Sequence, residues 1–304
     1  MLSGTTSYAA WPTNCGDKGY KKDNLFFDMM TFHEFWQPLT AVYDEGEARA
    51  VARLVLEVRF GLTMADVLCG RMPSDEELQG IQRHLLNGEP VQYVLGEAEF
   101  GGRRFRVSTD VLIPRPETYE LCQWCLSSVP AGWQGRVLDV GTGSGCIACT
   151  LAAELPQAAV VAWDISEAAL DVACENAKST NVNVSFEQVD VLHIPSSAYC
   201  EKWDIIVSNP PYICEQEKAA LERNVLEHEP HTALFVPDDD PLLFYRAISD
   251  YAWQTLKPGG MLYFEINPLY DEELEQLLCS RGFAAVGSRQ DQFGKTRFTK
   301  ATRL

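Results

Sequence analysis

The sequence predicts an α/β protein: a mostly parallel sheet with an antiparallel last strand, preceded by a small helical bundle. Three observations predict it. Apolar runs of strand length alternate with helical runs beyond about residue 117, whereas the segment before residue 90 carries helical periodicity alone. The last two strand candidates have no helix between them, only the tight turn QDQFGK, so they pair antiparallel. Alternating strands and helices argue for parallel strands covered on both faces.

The 304 residues are enough for two units. Residues 1–30 carry Gly, Ser, Thr, Asn and Lys with scattered aromatics and read as a disordered extension. They lack the basic start and apolar core of a secretory signal. Truncation to Met30 is expected to leave activity and melting temperature nearly unchanged; a large loss in either rejects that reading. Residues 31–90 form the bundle. Phe32, Phe35, Trp36, Leu39, Val42 and Tyr43 recur at spacings of three and four, and Val51, Leu54, Val55 and Val58 repeat the pattern. Ser74 with Glu77 reads as a capping box before Leu78, Ile81 and Leu85, and Gly88 fits the helix end. Over 91–113 the period changes. Val91, Tyr93 and Leu95 alternate, Gly101-Gly102 turns, and Phe105, Val107 and Val111 follow, which predicts a β-hairpin linker. LIPRPET, stiffened by Pro114 and Pro116, leads into the sheet domain, 114–304. Its strand candidates are RVLDV, AVVAWD, VSFEQV, DIIVS, MLYFEI, FAAVGS and TRFTKA.

Composition narrows the function. Hydrophobic residues make up 46% and charged residues 22%, and no apolar run is long enough to span a membrane. The net charge of −18, from 43 acidic against 25 basic residues, comes without any Lys/Arg cluster. Affinity for nucleic acid depends on such clusters, so the balance suits a protein partner or a cationic small molecule. The ten cysteines sit mostly in apolar runs and read as reduced core residues of a cytoplasmic protein. Cys122 and Cys125, with Cys146 and Cys149, have the spacing of a zinc ribbon. The gap between the pairs, however, holds a full strand and a glycine turn, and no knuckle is signalled, so no metal is assigned.

Four stretches carry chemistry. In VLDVGTGSG, Val137 to Gly145, a buried strand ends at Asp139 and runs into Gly141, Gly143 and Gly145, which permit close approach of a ligand to the backbone. The next strand ends at Asp164, about twenty residues on, where an acidic side chain can accept from both ribose hydroxyls; Ser166 supplies the following helix cap. The third strand ends at Asp190, placed to accept from an adenine amine. The fourth ends in VSNPPYIC at the sheet's switch point, so Asn209 faces the cleft. Pro210 and Pro211 stiffen the backbone and remove its donors, and Tyr212 supplies an aromatic wall. An amide oxygen and a carbonyl converge there, which suits an –NH2 group on a planar system.

LIPRPET at 112–118, GTGSG at 141–145, SNPPYI at 208–213 and EPHTALF at 229–235 together resemble the release-factor glutamine methyltransferases. The resemblance covers about residues 31–304. It implies a Rossmann-like class I methyltransferase sheet, and S-adenosyl-L-methionine as cofactor. The reaction it implies is methylation of the glutamine in the Gly-Gly-Gln motif of class I peptide chain release factors. By position, Gly141, Thr142, Gly143, Ser144, Gly145, Asp164, Ile165, Asp190, Val191 and Asn209 would hold the cofactor. Asn209, Pro210, Pro211 and Tyr212, with Arg115 and Glu117, would hold the substrate; Asn209, Pro210 and Tyr212 would be catalytic. A monomer acting in the cytoplasm, with no direct contact to nucleic acid or membrane, is expected. The Glu-His-Gly segment frequent in the family after strand five reads FEINP here, with Glu265 and no histidine. Two rivals use the same motifs: a nucleic-acid adenine or cytosine amino-methyltransferase, which calls for a basic groove, and an NAD-dependent oxidoreductase, which leaves N-P-P-Y unexplained. A non-enzymatic module that retains the cofactor is a third.

Overall fold

A computed structural model describes residues 30–304; apart from Met30, the expected extension lies outside them. The bundle starts where the sequence offers a cap. Thr31 and Glu34 form a capping box for α1 (Phe32–Trp36), and Pro38 turns the chain into a 3-10 segment over Gln37–Ala41. Asp44 caps α2 (Glu45–Phe60) and Thr63 caps α3 (Met64–Leu68); α4 (Asp75–Leu86) follows. Phe35, Leu39, Val55, Leu56, Leu78 and Leu85 close the bundle core.

Two local expectations are corrected here. Ser74 stands at the N-cap of α4, but its hydroxyl donates to Glu77 Oε2 at 2.7 Å, so its side chain makes no cap bond to the backbone. Val91–Leu95 is helix α5 instead of a strand: Val91, Val94 and Leu95 lie at helical spacing and pack into the bundle core, and Gly96 ends the turn at φ +74°. The hairpin is therefore shorter than 91–113. It comprises β1 (Glu97–Phe100) and β2 (Arg103–Arg106), turned at Gly101-Gly102.

The sheet domain opens with α6 (Pro116–Ser127). Its strands are β3 (Arg136–Val140), β4 (Ala159–Asp164), β5 (Val184–Gln188), β6 (Trp203–Ser208), β9 (Leu256–Glu265), β10 (Ala284–Gln290) and β11 (Thr296–Thr302). Helices α7 (Cys146–Glu154), α8 (Glu167–Ser179), α9 (Arg223–His228), α10 (Leu243–Thr255) and α11 (Asp271–Ser280) intervene. The order across the sheet is β10-β11-β9-β6-β3-β4-β5, parallel except for β11, which runs against both neighbours. The chain reverses its direction of travel between β3 and β6, which places the end of β6 at the switch point.

Successive residues of each strand serve opposite faces. Val137, Ile205 and Tyr263 pack with α6 and α7; Leu138, Ile206 and Phe264 pack with α10 and α11. The paired cysteines of α6 and α7 belong to the first face, where burial pushes the Cys146 and Cys149 thiols up to about 12. The cysteines are not uniformly core residues: Cys69, Cys200 and Cys279 are exposed, and Cys15 lies outside the described residues. A short parallel pair without a signal in the sequence, β7 (Ile213–Cys214) with β8 (Phe235–Val236), joins the stretch after N-P-P-Y to the end of EPHTALF. No described helix is long and apolar enough to cross a membrane.

Candidate active site

Two adjoining cavities open at the carboxyl ends of the parallel strands. The larger encloses about 390 Å³, within the range for a small-molecule site. Gly141, Thr142, Gly143 and Ser144 line one side of it, and Asp164, Ile165, Asp190 and Val191 line another. Gly141 and Thr142 both donate to the Trp163 carbonyl at 2.9 Å, which pins the loop to the end of β4. Gly141 and Gly143 take φ values of +71° and +53°, a region that a Cβ disfavours. Gly145 does not line the cavity. It starts α7, and a Cβ there would sit 3.0 Å from that of Ala173, so its service is the close packing of α7 on α8.

Asp164 accepts from the Gly143 N–H at 2.8 Å and from Ser166 N–H at 2.9 Å. Burial raises its carboxyl above the usual range, and these backbone bonds oppose the rise. Ser166 caps α8, as expected. Asp190 accepts from Leu192 N–H at 2.8 Å and pairs with His193 Nδ1 at 2.7 Å; the His193 bond holds its carboxyl below the usual range. Exposed Ile165, at 58%, forms an apolar lip between these carboxylates. A glycine loop that a ligand can approach closely, carboxylate acceptors from Asp164 at the end of β4 and Asp190 two residues past β5, and the apolar Ile165 side chain fit the nucleoside of S-adenosylmethionine.

The second cavity, about 330 Å³, is lined by Glu117, Tyr212, Glu265 and Arg297 among others. Asn209, Pro210 and Arg115 line both cavities, while Pro211 lines the first. Of the residues expected to hold the substrate, Arg115, Asn209 and Pro210 thus meet at the seam, whereas Glu117 and Tyr212 line only the second cavity and Pro211 only the first. Asn209 is half-buried and faces the cleft, not bulk solvent, and its Nδ2 donates to Thr118 Oγ1 at 3.3 Å.

Several residues of the site escaped the sequence reading. Glu229, 3% exposed, accepts from the Arg115 guanidinium and from Ile113 N–H at 3.2 Å, which locks LIPRPET onto EPHTALF. Glu265, 2% exposed, accepts from Thr118 Oγ1 at 2.6 Å and from Tyr212 OH at 3.1 Å. Buried Asn176 of α8 accepts from Arg106 N–H at 2.6 Å and donates to the Ser144 carbonyl at 2.8 Å, tying the hairpin to the glycine loop. The signal for the first two lay in the motifs themselves: both contain a charged residue that burial obliges to find a partner. Nothing in the sequence marked Asn176.

Residues 122–232 match the family described as the methyltransferase small domain. The release factor glutamine methyltransferase of Bacteroides thetaiotaomicron is 43% identical over 275 residues, which cover 88% of this chain and 97% of the relative. That of Flavobacterium psychrophilum is 39% identical over 278 residues, covering 88% and 96%. A solved METTL16 methyltransferase domain shares the fold with a TM-score of 0.50, at 19% identity over 66% of this chain and 88% of that one. A glycine loop lining the larger cavity, a carboxamide at the switch point and near-full-length likeness to these relatives agree. The chain belongs to the release factor glutamine methyltransferases, protein methyltransferases that depend on S-adenosylmethionine.

Proposed function

We propose that this enzyme methylates the side-chain amide nitrogen of the glutamine in the Gly-Gly-Gln motif of class I peptide chain release factors. One observation carries the reading: Asn209 and Pro210 stand at the seam where the cofactor-side cavity meets a second cavity open to a substrate side chain. When bound, S-adenosylmethionine supplies a methyl already activated by its sulfonium. The chain's own residues then have to hold and orient a poor nucleophile, whose lone pair is delocalised into its carbonyl. Asn209 Oδ1 and the Pro210 carbonyl accept from the two N–H groups of the glutamine amide. That fixes the nitrogen and favours positive charge developing on it. The prolines contribute acceptors without competing donors. Tyr212 and Leu112 bound the side of the second cavity. The proton departs after transfer, to water, so no residue is assigned as a general base.

The acidic surface fits a protein partner better than a nucleic acid. Family membership sets aside the nicotinamide reading of the glycine loop. The decisive experiment is mass spectrometry of a release factor and, in parallel, of DNA after incubation with the protein and S-adenosylmethionine. One added methyl on the motif glutamine is expected. Methylated DNA with an unmodified release factor would overturn the proposal.

A further inference from the structure

We infer that Glu265 is a positioning residue for the transfer: through the Thr118 hydroxyl it dictates which end of the Asn209 carboxamide faces the substrate cavity. The inference rests on the reading of Asn209 as the substrate's partner. Thr118 comes from α6, Asn209 follows β6, and Glu265 ends β9. The Thr118 oxygen lies 2.6 Å from Glu265 Oε2 and 3.3 Å from Asn209 Nδ2. A hydroxyl has a single proton, and an ionised carboxylate can only accept. The Thr118 proton therefore points to Glu265, and its oxygen keeps only lone pairs for Asn209. Those lone pairs require an N–H in return, which holds Nδ2 against α6 and turns Oδ1 to the cavity. Oδ1 is the end that accepts from a substrate –NH2. With the amide reversed, Oδ1 would meet lone pairs at Thr118 and Nδ2 would oppose the substrate donors. A hydroxyl without the carboxylate behind it accommodates either orientation.

The same carboxylate takes the Tyr212 hydroxyl at 3.1 Å on its other oxygen, so one buried group sets two walls of the substrate cavity. Its surroundings decide its charge. Arg297 reaches it from β11, and bonds Asp291 through Nε at 3.1 Å. Glu117 faces it from α6, Tyr212 from the loop after β6, and Tyr245 of α10 donates to its backbone carbonyl at 3.1 Å. Burial raises the Glu265 carboxyl; the bonds from Thr118 and Tyr212 and the Arg297 charge oppose the rise. A protonated Glu265 donates to Thr118, which then donates to Asn209, and the whole chain reverses. Ionised Glu265 is thus the form that presents Oδ1.

The test is steady-state methylation of a release factor by the full chain, as wild type, T118V, T118S, E265Q and T118V/E265Q, with calorimetric S-adenosylmethionine affinity for each. T118V keeps the shape and removes the hydroxyl; its kcat is expected to fall about tenfold, the scale of one hydrogen bond. E265Q, whose amide reverses the chain, falls at least as far. KM for the release factor and cofactor affinity hold within about twofold, because most of that binding lies elsewhere. T118S recovers most of the T118V loss. The double variant is no worse than E265Q, since both changes cut one chain. Wild-type kcat falls on the acid side as Glu265 protonates, and E265Q removes that contribution to the limb. Wild-type turnover in T118V, additive losses, or an acid limb unchanged in E265Q each overturn the inference while leaving the proposed reaction standing. A wild-type protein that transfers no methyl to release factor removes the reaction and the inference together.

Discussion

The two cavities that meet at Asn209 are built by different means. On the cofactor side the carboxylate bonds are local and mostly to backbone: Asp164 reaches Gly143 across 21 residues, and Asp190 reaches His193 across three; the exception is Asn176, which reaches Ser144 across 32 and Arg106 across 70. On the substrate side they join side chains far apart in the chain. Thr118 and Glu265 are separated by 147 residues, Arg115 and Glu229 by 114, and Asn209 and Thr118 by 91. The first half is a property of strand-turn-helix units, the second of how the sheet brings distant units together. The difference explains how one fold can keep a constant methyl donor while its acceptor changes: the donor half survives rewiring of the contacts that shape the acceptor half.

If that division holds, the largest effect comes at the seam. Asn209→Ala should lower turnover at least about a hundredfold, the scale for one preorganised polar contact. Its cofactor affinity should fall far less. Steady-state kinetics beside calorimetry measures both, and equal losses in the two would erase the distinction between the halves. Asp164→Ala comes next, with the opposite signature. Cofactor affinity should weaken about thirtyfold, as for a lost bond to a charged acceptor, while kcat at saturating cofactor changes by less than about threefold. A kcat loss that saturating cofactor does not restore would place Asp164 in the acceptor half.

Glu229 sharpens the comparison by crossing it. Its carboxylate holds Ile113 and Arg115; Ile113 lines the cofactor cavity and Arg115 lines both. Glu229→Ala leaves a buried N–H and a guanidinium without their acceptor, so cofactor affinity and turnover should both fall, each roughly tenfold. Melting temperature should fall as well, and Glu229→Gln, which keeps one acceptor oxygen, should recover part. A loss confined to either readout assigns the LIPRPET segment to that half alone.

The same contrast explains what could be read from the residues in advance. GTGSG, Asp164 and N-P-P-Y could be placed on the fold in advance because each is a short signal at the end of a strand, and strand order follows from alternation; Asp190, expected at the end of its strand, falls two residues past β5. Gly145 could not be told apart in advance because three spaced glycines look alike in sequence, although a Cβ on this one would meet Ala173 of α8. Val91–Leu95 was misread because five residues satisfy both periods, and only contact with the bundle core decides between them. Glu229, Glu265 and Asn176 were opaque for the reason their partners are distant: a buried polar residue announces that it needs a partner without saying which one. The charge in EPHTALF and that in LIPRPET were both in view; their pairing belongs to the fold.

Asp139 offers the mildest perturbation, because it belongs to the cofactor half yet stays behind the glycine loop. Its side chain is fully buried, with Oδ2 accepting from Thr142 Oγ1 at 2.6 Å and Ala148 N–H at 3.1 Å, while Oδ1 has no partner among the described residues. Burial pushes its carboxyl up to about 7; the bonds from Thr142 and Ala148 oppose the rise, and the Asp164 charge adds to it. The folded chain therefore binds this proton more tightly than the unfolded chain, whose aspartate titrates near its ordinary 3.8. The stability this supplies is complete below that ordinary value and drains away as pH rises through about 7. Asp139→Asn deletes the titration. Its amide carries a constant cost at the Oδ1 position, so the melting temperature of the variant relative to wild type should climb by a few degrees between about pH 5 and 8, then level off. Glu265 also titrates upward through burial but is common to both proteins and cancels in the difference; Asp164 is coupled to Asp139, and the loss of their repulsion in the variant acts in the same direction as the climb. Thermal melts of the pair across that pH range measure it; a difference that stays flat would mean Asp139 is already ionised in the fold, its partnerless oxygen solvated from the cavity side, and the glycine loop more open to water than its packing implies.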